Sequence, residues 1–424
     1  MSDKWKKVKL GSLGDIITGK TPKTNDKENY GNDVLFLTPS DNMELRYIKD
    51  TIRKLSLKGA EAVQNKILPK ESICVSCIGS QLGKVVITTE DTVTNQQINS
   101  IIPNDNVDYK YLYYTMLLVG NKLNFLSKTS TAVPIINKTE FSNQEIYLPP
   151  LEEQKSIADL LSSFDDKIEN NNAIIANLEE QAQTIFKSWF IDFEPFKNKE
   201  FVDSEVGLIP KNFSVVKLQE IATRRNGYSY KSKELNELSN TNMITLKNFN
   251  RNGGINFNDT KPINDTERMK EFHYLNNGDI LIACTDLTQN AEVLGRIISY
   301  FKNEDFDKEV YSMDLVKIEP NKIEDKLYVY YYLNSYLFKS FAEGVATGTT
   351  VLHLPKKSID EFKMVYPPSE LINKFSHLVK PMLLKQNKLV FENRKLEETR
   401  DTLLPKLMSG EIRVEEAIEV EQTL

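Results

Sequence analysis

Two stretches of the chain repeat one pattern of apolar positions. From Ile157 the apolar residues fall at Leu161, Phe164 and Ile168, then at Ile175, Leu178, Ala182, Ile185 and Trp189, with Asn171 in the remaining slot. Steps of four and three alternate, a period of about 3.5 residues and the seam of a coiled coil. Adding 218 to each number yields Phe375, Val379, Met382, Gln386, Leu389, Asn393, Leu396, Arg400, Leu403 and Leu407. The second seam keeps the register but carries polar residues at Gln386, Asn393 and Arg400, which lower stability while restricting alignment. Residues 152–190 hold 3 basic and 8 acidic side chains, whereas residues 369–414 hold 9 and 6. Flanks of opposite charge predict that the two helices pair with each other, antiparallel and within one chain. The alternative is two amphipathic helices, each packed on its own domain. Pro381 predicts either a kink or the first turn of the long portion of the second helix.

Ahead of each helix the pattern changes to short β-branched runs bounded by Gly, Asp or Asn, as strands usually are: Ser72–Ile78 and Val85–Thr89, then Asp279–Cys284 and Gly295–Tyr300. Tyrosine-rich stretches over 109–119 and 327–341 read as buried helices by their length. The order repeats. Val8-Lys9-Leu10 recurs as Val216-Lys217-Leu218, Tyr111-Leu112-Tyr113-Tyr114 as Tyr328-Val329-Tyr330-Tyr331, and Pro149-Pro150 as Pro367-Pro368. The chain is therefore an internally duplicated α+β protein with a pseudo-twofold plan. It divides into a globular domain over 1–150, a helix over 151–196, a second domain with an entry linker over 197–368, a helix over 369–414 and an acidic tail over 415–424.

Composition narrows the class. With 424 residues and 27% charged side chains the chain is long enough for two to four folded domains. No apolar run approaches the ~18 residues of a membrane span, and the first ten residues lack the core of a signal peptide, so a cytoplasmic protein without membrane contact is expected. Three cysteines, Cys74, Cys77 and Cys284, suit a reducing compartment. The net charge of −6 hides regional differences: residues 1–150 carry 19 basic and 16 acidic side chains, and residues 201–250 carry 7 and 5. No phosphate-binding glycine loop, zinc-ligand spacing or methyltransferase motif is present in the sequence. Cys74-Val75-Ser76-Cys77 reads as strand core, and the chain is expected to be non-catalytic, with no metal.

The segment Leu148-Pro149-Pro150-Leu151-Glu152-Glu153-Gln154-Lys155-Ser156-Ile157-Ala158, continued by Leu160 to Glu169, closely resembles the central conserved region of the specificity subunit of type I restriction–modification systems. Thr18-Gly19-Lys20-Thr21-Pro22 and the stretch from Leu403 to Ile412 resemble the same family. At the second proline pair Ser369-Glu370-Leu371-Ile372 departs from the motif. The resemblance implies two target-recognition domains, each reading half of a bipartite double-stranded DNA site, and paired helices that fix the unread spacer. It also implies docking of two methyltransferase subunits and of restriction subunits, with S-adenosylmethionine and ATP/Mg carried by those partners. A coiled-coil interaction scaffold that binds no DNA is the competing reading.

Base reading needs paired donors and acceptors, and phosphate contacts need cations. The candidates in the first domain are Lys20, Thr21, Lys23, Ser80, Gln81, Lys84, Gln96, Gln97, Lys128, Ser130 and Thr131. In the second they are Arg224, Arg225, Tyr228, Lys231, Lys247, Asn248, Asn250, Arg251, Thr349, Thr350 and His353.

Overall fold

The computed structural model describes residues 5–128, 135–250, 254–286, 292–348 and 351–421. The chain divides into two compact units, Met1–Asn171 with Glu392–Leu424, and Asn172–Phe391. In the first, the central sheet contains Gly14–Thr18 (β1), Tyr47–Ile48 (β2), Ile73–Ser76 (β3), Val85–Thr88 (β4) and Ile98–Pro103 (β5) in the order β1-β5-β3-β4-β2. The neighbours are antiparallel except β2, which lies parallel to β4. In the second, Ala222–Asn226 (β6), Ile280–Ala283 (β7), Ile297–Ser299 (β8) and Leu315–Pro320 (β9) follow the order β6-β9-β7-β8, antiparallel throughout. β3, β4 and β7 are buried along their whole length, which is why they read as continuous β-branched runs rather than alternating ones.

The helices are Tyr109–Lys128 (α1), Leu151–Phe190 (α2), Lys326–Leu333 (α3), Tyr336–Val345 (α4) and Ser369–Ser409 (α5). The proline pairs stop the preceding strands, and the carbonyls of Pro150 and Pro368 accept the first helical N–H groups of α2 and α5. Glu152, Glu153 and Glu370 lie in the first turns, where carboxylates favour the helix dipole. α5 ends at Gly410, whose φ of 69° is the left-handed cap that glycine adopts without strain. Pro381 and Pro405 are both exposed members of α5, which runs unbroken through them, so Pro381 is not the first turn of its long portion.

Both readings of the long helices hold in part, because the helices pair and also share their domains' cores. In the first unit, Ile157, Leu161 and Phe164 of α2 are buried in one cluster with Leu403 and Leu407 of α5 and with Ile73, Val75, Tyr111 and Leu112 of the domain. In the second, Ala182, Phe186 and Phe190 are buried with Phe375, Val379 and the tyrosines of α3. The partners run antiparallel within each unit: Asp165 meets Arg400 and Asn171 meets Asn393, while Ile175 meets Gln386 and Phe186 meets Phe375. Ile168 and Leu389 are buried, whereas Ile175, Leu178, Met382 and Leu396 are half-buried. The assignment of Ile185 and Trp189 to the seam needs correction. Past Ala182 the buried positions step to Phe186 and Phe190, leaving Ile185 and Trp189 on the flank. There α2 follows the domain surface instead of a 3.5-residue seam, and Phe186 packs 5.9 Å from Tyr328 and 5.8 Å from Tyr332. Beside Met382, Leu383 takes the interior position.

The polar seam positions find hydrogen-bond partners, although Asn171 Oδ1 is buried without one among the described residues. Asn171 Nδ2 donates to Asn393 Oδ1 at 2.8 Å, and Gln386 Nε2 donates to the carbonyl of Ile175 at 3.3 Å and to Glu179 at 3.2 Å. Asp165 is buried; it accepts from the Tyr114 hydroxyl of α1 and from Arg400 Nη1, the latter at 2.5 Å. Burial, and then Asp165, push the Tyr114 hydroxyl well above the usual tyrosine range. By contrast, Lys167 and Glu392 pair at 3.4 Å on the surface. Replacing Asp165 by alanine leaves a buried hydroxyl and a largely buried guanidinium to be satisfied elsewhere, which predicts a loss of about 3–5 kcal/mol. Lys167→Ala is predicted to cost less than ~1 kcal/mol. Chemical denaturation of both variants checks the contrast, and equal losses would contradict it.

Candidate nucleic-acid interface

At one end of each central sheet several loops are tied together by backbone hydrogen bonds, and the two units repeat these bonds. Gly19 N–H donates to the carbonyl of Ile98 at 3.2 Å, and Gly227 N–H to that of Leu315 at 3.2 Å. Lys20 N–H donates to Thr94 at 2.8 Å, and Tyr228 N–H to Tyr311 at 2.7 Å. Cys77 N–H reaches Gln97 and Ile136 N–H reaches Cys77; correspondingly, Cys284 N–H reaches Asp314 and Leu354 N–H reaches Cys284. The bridge between Ile78 and Ile135 has its counterpart in the pairing of Thr285 with His353. The glycines are required by space. A Cβ on Gly19 would lie 2.3 Å from the carbonyl oxygens of Thr94 and Asn95, and one on Gly227 would lie 2.0 Å from that of Ser312.

In the first unit this brings the 19–23 loop against the 94–97 turn, with the end of β3 alongside. Lys20, Lys23, Gln81 and Gln96 are exposed, and Thr21 Oγ1 donates to Gln96 Oε1 at 2.8 Å. Gln97 is turned to local structure: its Oε1 accepts from Asn95 Nδ2 at 2.9 Å and its N–H donates to Asn95 Oδ1 at 3.0 Å. Lys84 is engaged in an ion pair with Glu44. Ser80 and Lys128 belong to helical turns, but their side chains lie outside the described residues, as do Ser130, Thr131, Arg251, Thr349 and Thr350 altogether.

The second unit corrects several expectations. Tyr228 is 2% exposed; its hydroxyl donates to Glu234 Oε2 at 3.1 Å and lies 2.9 Å from Thr266 Oγ1. Asn248 is 1% exposed and donates to the carbonyls of Asn256 and Asp259, both at 2.8 Å. Arg224 makes a two-pronged pair with Asp360 at 2.8 and 2.9 Å, and Arg225 pairs with Glu319 at 2.8 Å. The side chains of Tyr228, Asn248 and Arg224 are thus engaged within the domain, and Tyr228 and Asn248 are buried there. Lys231, Lys247, Asn250 and His353 are exposed, with the His353 ring nitrogen 3.5 Å from Thr285 Oγ1.

Sequence reasoning missed Met313 and Asp314. Met313 N–H donates to the carbonyl of Tyr228 at 3.0 Å, and Met313 is exposed. The two residues occupy the place of Gln96 and Gln97, and the offset of 217 that relates Tyr111 to Tyr328 would have found them. Cys74, Cys77 and Cys284 are buried; burial pushes their thiols up to about 12, about 11 and about 12.

The type I restriction modification DNA specificity domain family matches residues 2–180 and again residues 210–375. The chain is 32% identical over 423 residues to the type I restriction enzyme MjaIX specificity subunit of Methanocaldococcus jannaschii, covering 97% of this chain and 94% of that protein. Over 173 residues, 39% of this chain and 38% of the relative, it is 37% identical to the type I restriction enzyme HindI specificity subunit of Haemophilus influenzae. The solved structure of a type I restriction-modification S subunit from M. genitalium aligns with a TM-score of 0.58 at 20% identity, covering 95% of this chain and 96% of that one, a likeness of fold.

Exposed lysines at this sheet end lead to a measurable expectation. If Lys20 and Lys23 each neutralise one phosphate, replacing both by alanine makes the dependence of log K on log salt shallower by about 2, at unchanged thermal stability. Arg224→Ala is expected to lower stability instead. Titrations of a DNA duplex carrying the target at several salt concentrations separate these outcomes, and an unchanged slope for the lysine variant would remove both residues from the interface.

Proposed function

Because the chain belongs to the family of type I restriction–modification DNA specificity proteins, we propose that its two loop clusters read the two halves of a bipartite DNA site on behalf of catalytic partner subunits. The observation that carries this reading is the repetition of the sheet-end hydrogen bonds in both units while the side chains they present differ: Lys20, Thr21 and Gln96 in one, Met313 and His353 in the other. One scaffold built twice, with two sets of surface groups, suits recognition of two different half-sites. The exposed lysines would hold phosphates and set the register, and the amide and hydroxyl groups would address base edges.

In this proposal the chain performs no bond-breaking step. Two methyltransferase subunits supply S-adenosylmethionine chemistry on adenine, and restriction subunits supply ATP- and magnesium-dependent work. Duplication supports docking of two identical partners, since one chain then presents two near-equivalent surfaces. The reading places this work in the cytoplasm; among the described residues no helix is long and apolar enough to cross a membrane.

The test is a map of methyladenine across the genome of cells that express a partner methyltransferase with and without this chain. A methylated bipartite motif present only with the chain is the expected result. Methylation indifferent to the chain, with both proteins expressed and assembled, would replace this reading by that of an interaction scaffold.

A further inference from the structure

The two sheets differ at one edge. In the first unit β4 is covered by β2. Ile87 N–H donates to the carbonyl of Arg46 at 2.8 Å, and Tyr47 and Ile48 lie opposite Ile87 and Thr88. Charges flank this strand on both sides: Glu44 pairs with Lys84, and the buried Arg46 pairs with Asp166 and, at 2.9 Å, with Glu169 of α2.

In the second unit the counterpart of β4 is β8, which ends its sheet. Ala283 N–H donates to Arg296 and Tyr300 N–H to Asp279. Bonded pairs alternate along an antiparallel ladder, so the backbone groups of Ile297 and Ser299 point away from β7. Neither N–H has a partner among the described residues, whereas Ile87, the counterpart of Ser299, is bonded. The segment that follows Thr241–Ile244, where the first unit supplies β2, bonds to itself: Asn250 N–H donates to Gly254 and Asn256 N–H to Asn248.

Beside this edge lies a cleft of about 380 Å³ bounded by β8, α2 and α5 and walled on the remaining side by Phe249, Asn250, Gly254 and Ile255, with Ile175, Tyr330 and Leu383 in its lining. It carries one charge of each sign: a cation in the place of Lys84, and Glu179 on α2, whereas the positions of α5 equivalent to Asp166 and Glu169 are Leu384 and Asn387. Arg296 stands in the place of Lys84; its Nε donates to the carbonyl of Glu292, and it makes no ion pair among the described residues. On the helical side Glu179 accepts amide N–H groups of Gln183 at 2.7 Å, Asn334 at 3.3 Å and Gln386 at 3.2 Å, with no cation beside it among the described residues. Asn387 Nδ2, which also lines the cleft, is buried without a hydrogen-bond partner.

We propose that β8 is a strand-docking edge that accepts an extended segment of a partner protein, laid parallel to β8. The segment carries an acidic residue for Arg296, a basic residue two positions later for Glu179, and then an aromatic and an aliphatic residue. This is the chemistry of Glu44-Leu45-Arg46-Tyr47-Ile48, supplied by another chain. Main-chain bonds to Ile297 and Ser299 give the affinity, and the two charges with the apolar floor give the selectivity.

The probe is a fluorescent peptide copying residues 44–50, titrated by anisotropy against the full chain at low salt. Saturable binding is expected, weakened about tenfold or more when the glutamate of the peptide that corresponds to Glu44 becomes lysine. Arg296→Glu in the protein should restore the lysine peptide, a reversal that displacement of β2 from the first unit would not produce. Ser299→Pro, which removes one outward N–H and leaves the β7 ladder intact, should weaken the parent peptide as strongly. If that variant fails to fold, the charge exchange still decides. No saturation below ~1 mM, or binding indifferent to Arg296→Glu, would overturn the proposal. So would hydrogen exchange showing Ser299 already protected in the free chain by its own Gly254–Phe257 segment.

Discussion

The fold depends on one constraint: a helix of forty residues with a single apolar stripe must find cover along its whole length. Here α2 and α5 cover one another in two instalments. The first half of α2 and the last part of α5 enter the core of one unit, and the remaining halves enter the core of the other. Each unit is therefore completed by chain from both ends of the duplication. Apolar contacts alone would tolerate sliding by a heptad. Asp165 with Arg400, Asn171 with Asn393, and Gln386 with Glu179 do not, because any other alignment leaves buried polar groups without partners.

On that frame the duplicated domains keep equivalent backbone and anchoring bonds at several places while the side chains around them differ. Tyr111 of the first unit donates its hydroxyl to the carbonyl of Tyr147, and Tyr328 of the second donates to Val365 at the equivalent place. At the start of α2, Gln154 is buried and donates to Pro149 while accepting from the Asp108 N–H. The equivalent residue of α5 is Ile372, also buried. The altered motif at the second proline pair thus replaces a hydrogen-bonded anchor by an apolar one and keeps the helix start. Such tolerance lets a recognition protein change what its loops display without losing the scaffold that displays them.

The sequence made the seam, the repeat and the order of elements legible, since each rests on periodicity or on spacing along the chain. The drift from Ile185 and Trp189 to Phe186 and Phe190 was not legible, because it is set by the tyrosines of α3 more than a hundred residues away. The same holds for the recognition candidates. Arg224, Tyr228 and Asn248 are polar types that could face DNA, yet Asp360, Glu234 and the carbonyls of Asn256 and Asp259 engage them. A polar residue's role depends on which partner the fold brings to it: Asp360 is remote from Arg224 in sequence, while Glu234, Asn256 and Asp259 are near Tyr228 and Asn248 along the chain and meet them only through the folding of their loops. Gly19 and Lys20 are singled out instead by the resemblance of residues 18–22 to the family, and their match to Gly227 and Tyr228 emerges only from the backbone bonds that the two units repeat.

The measurement that bears most directly on the spacing role that the family resemblance implies for the helices is a matched insertion of one heptad into both α2 and α5, at their polar midpoints, followed by mapping of the methylated motif. A heptad preserves the seam register and adds ~10.5 Å of helix, equivalent to as much as ~3 base pairs of duplex. The account predicts a longer spacer between two unchanged half-sites. An unaltered spacer in a folded, active variant would contradict it.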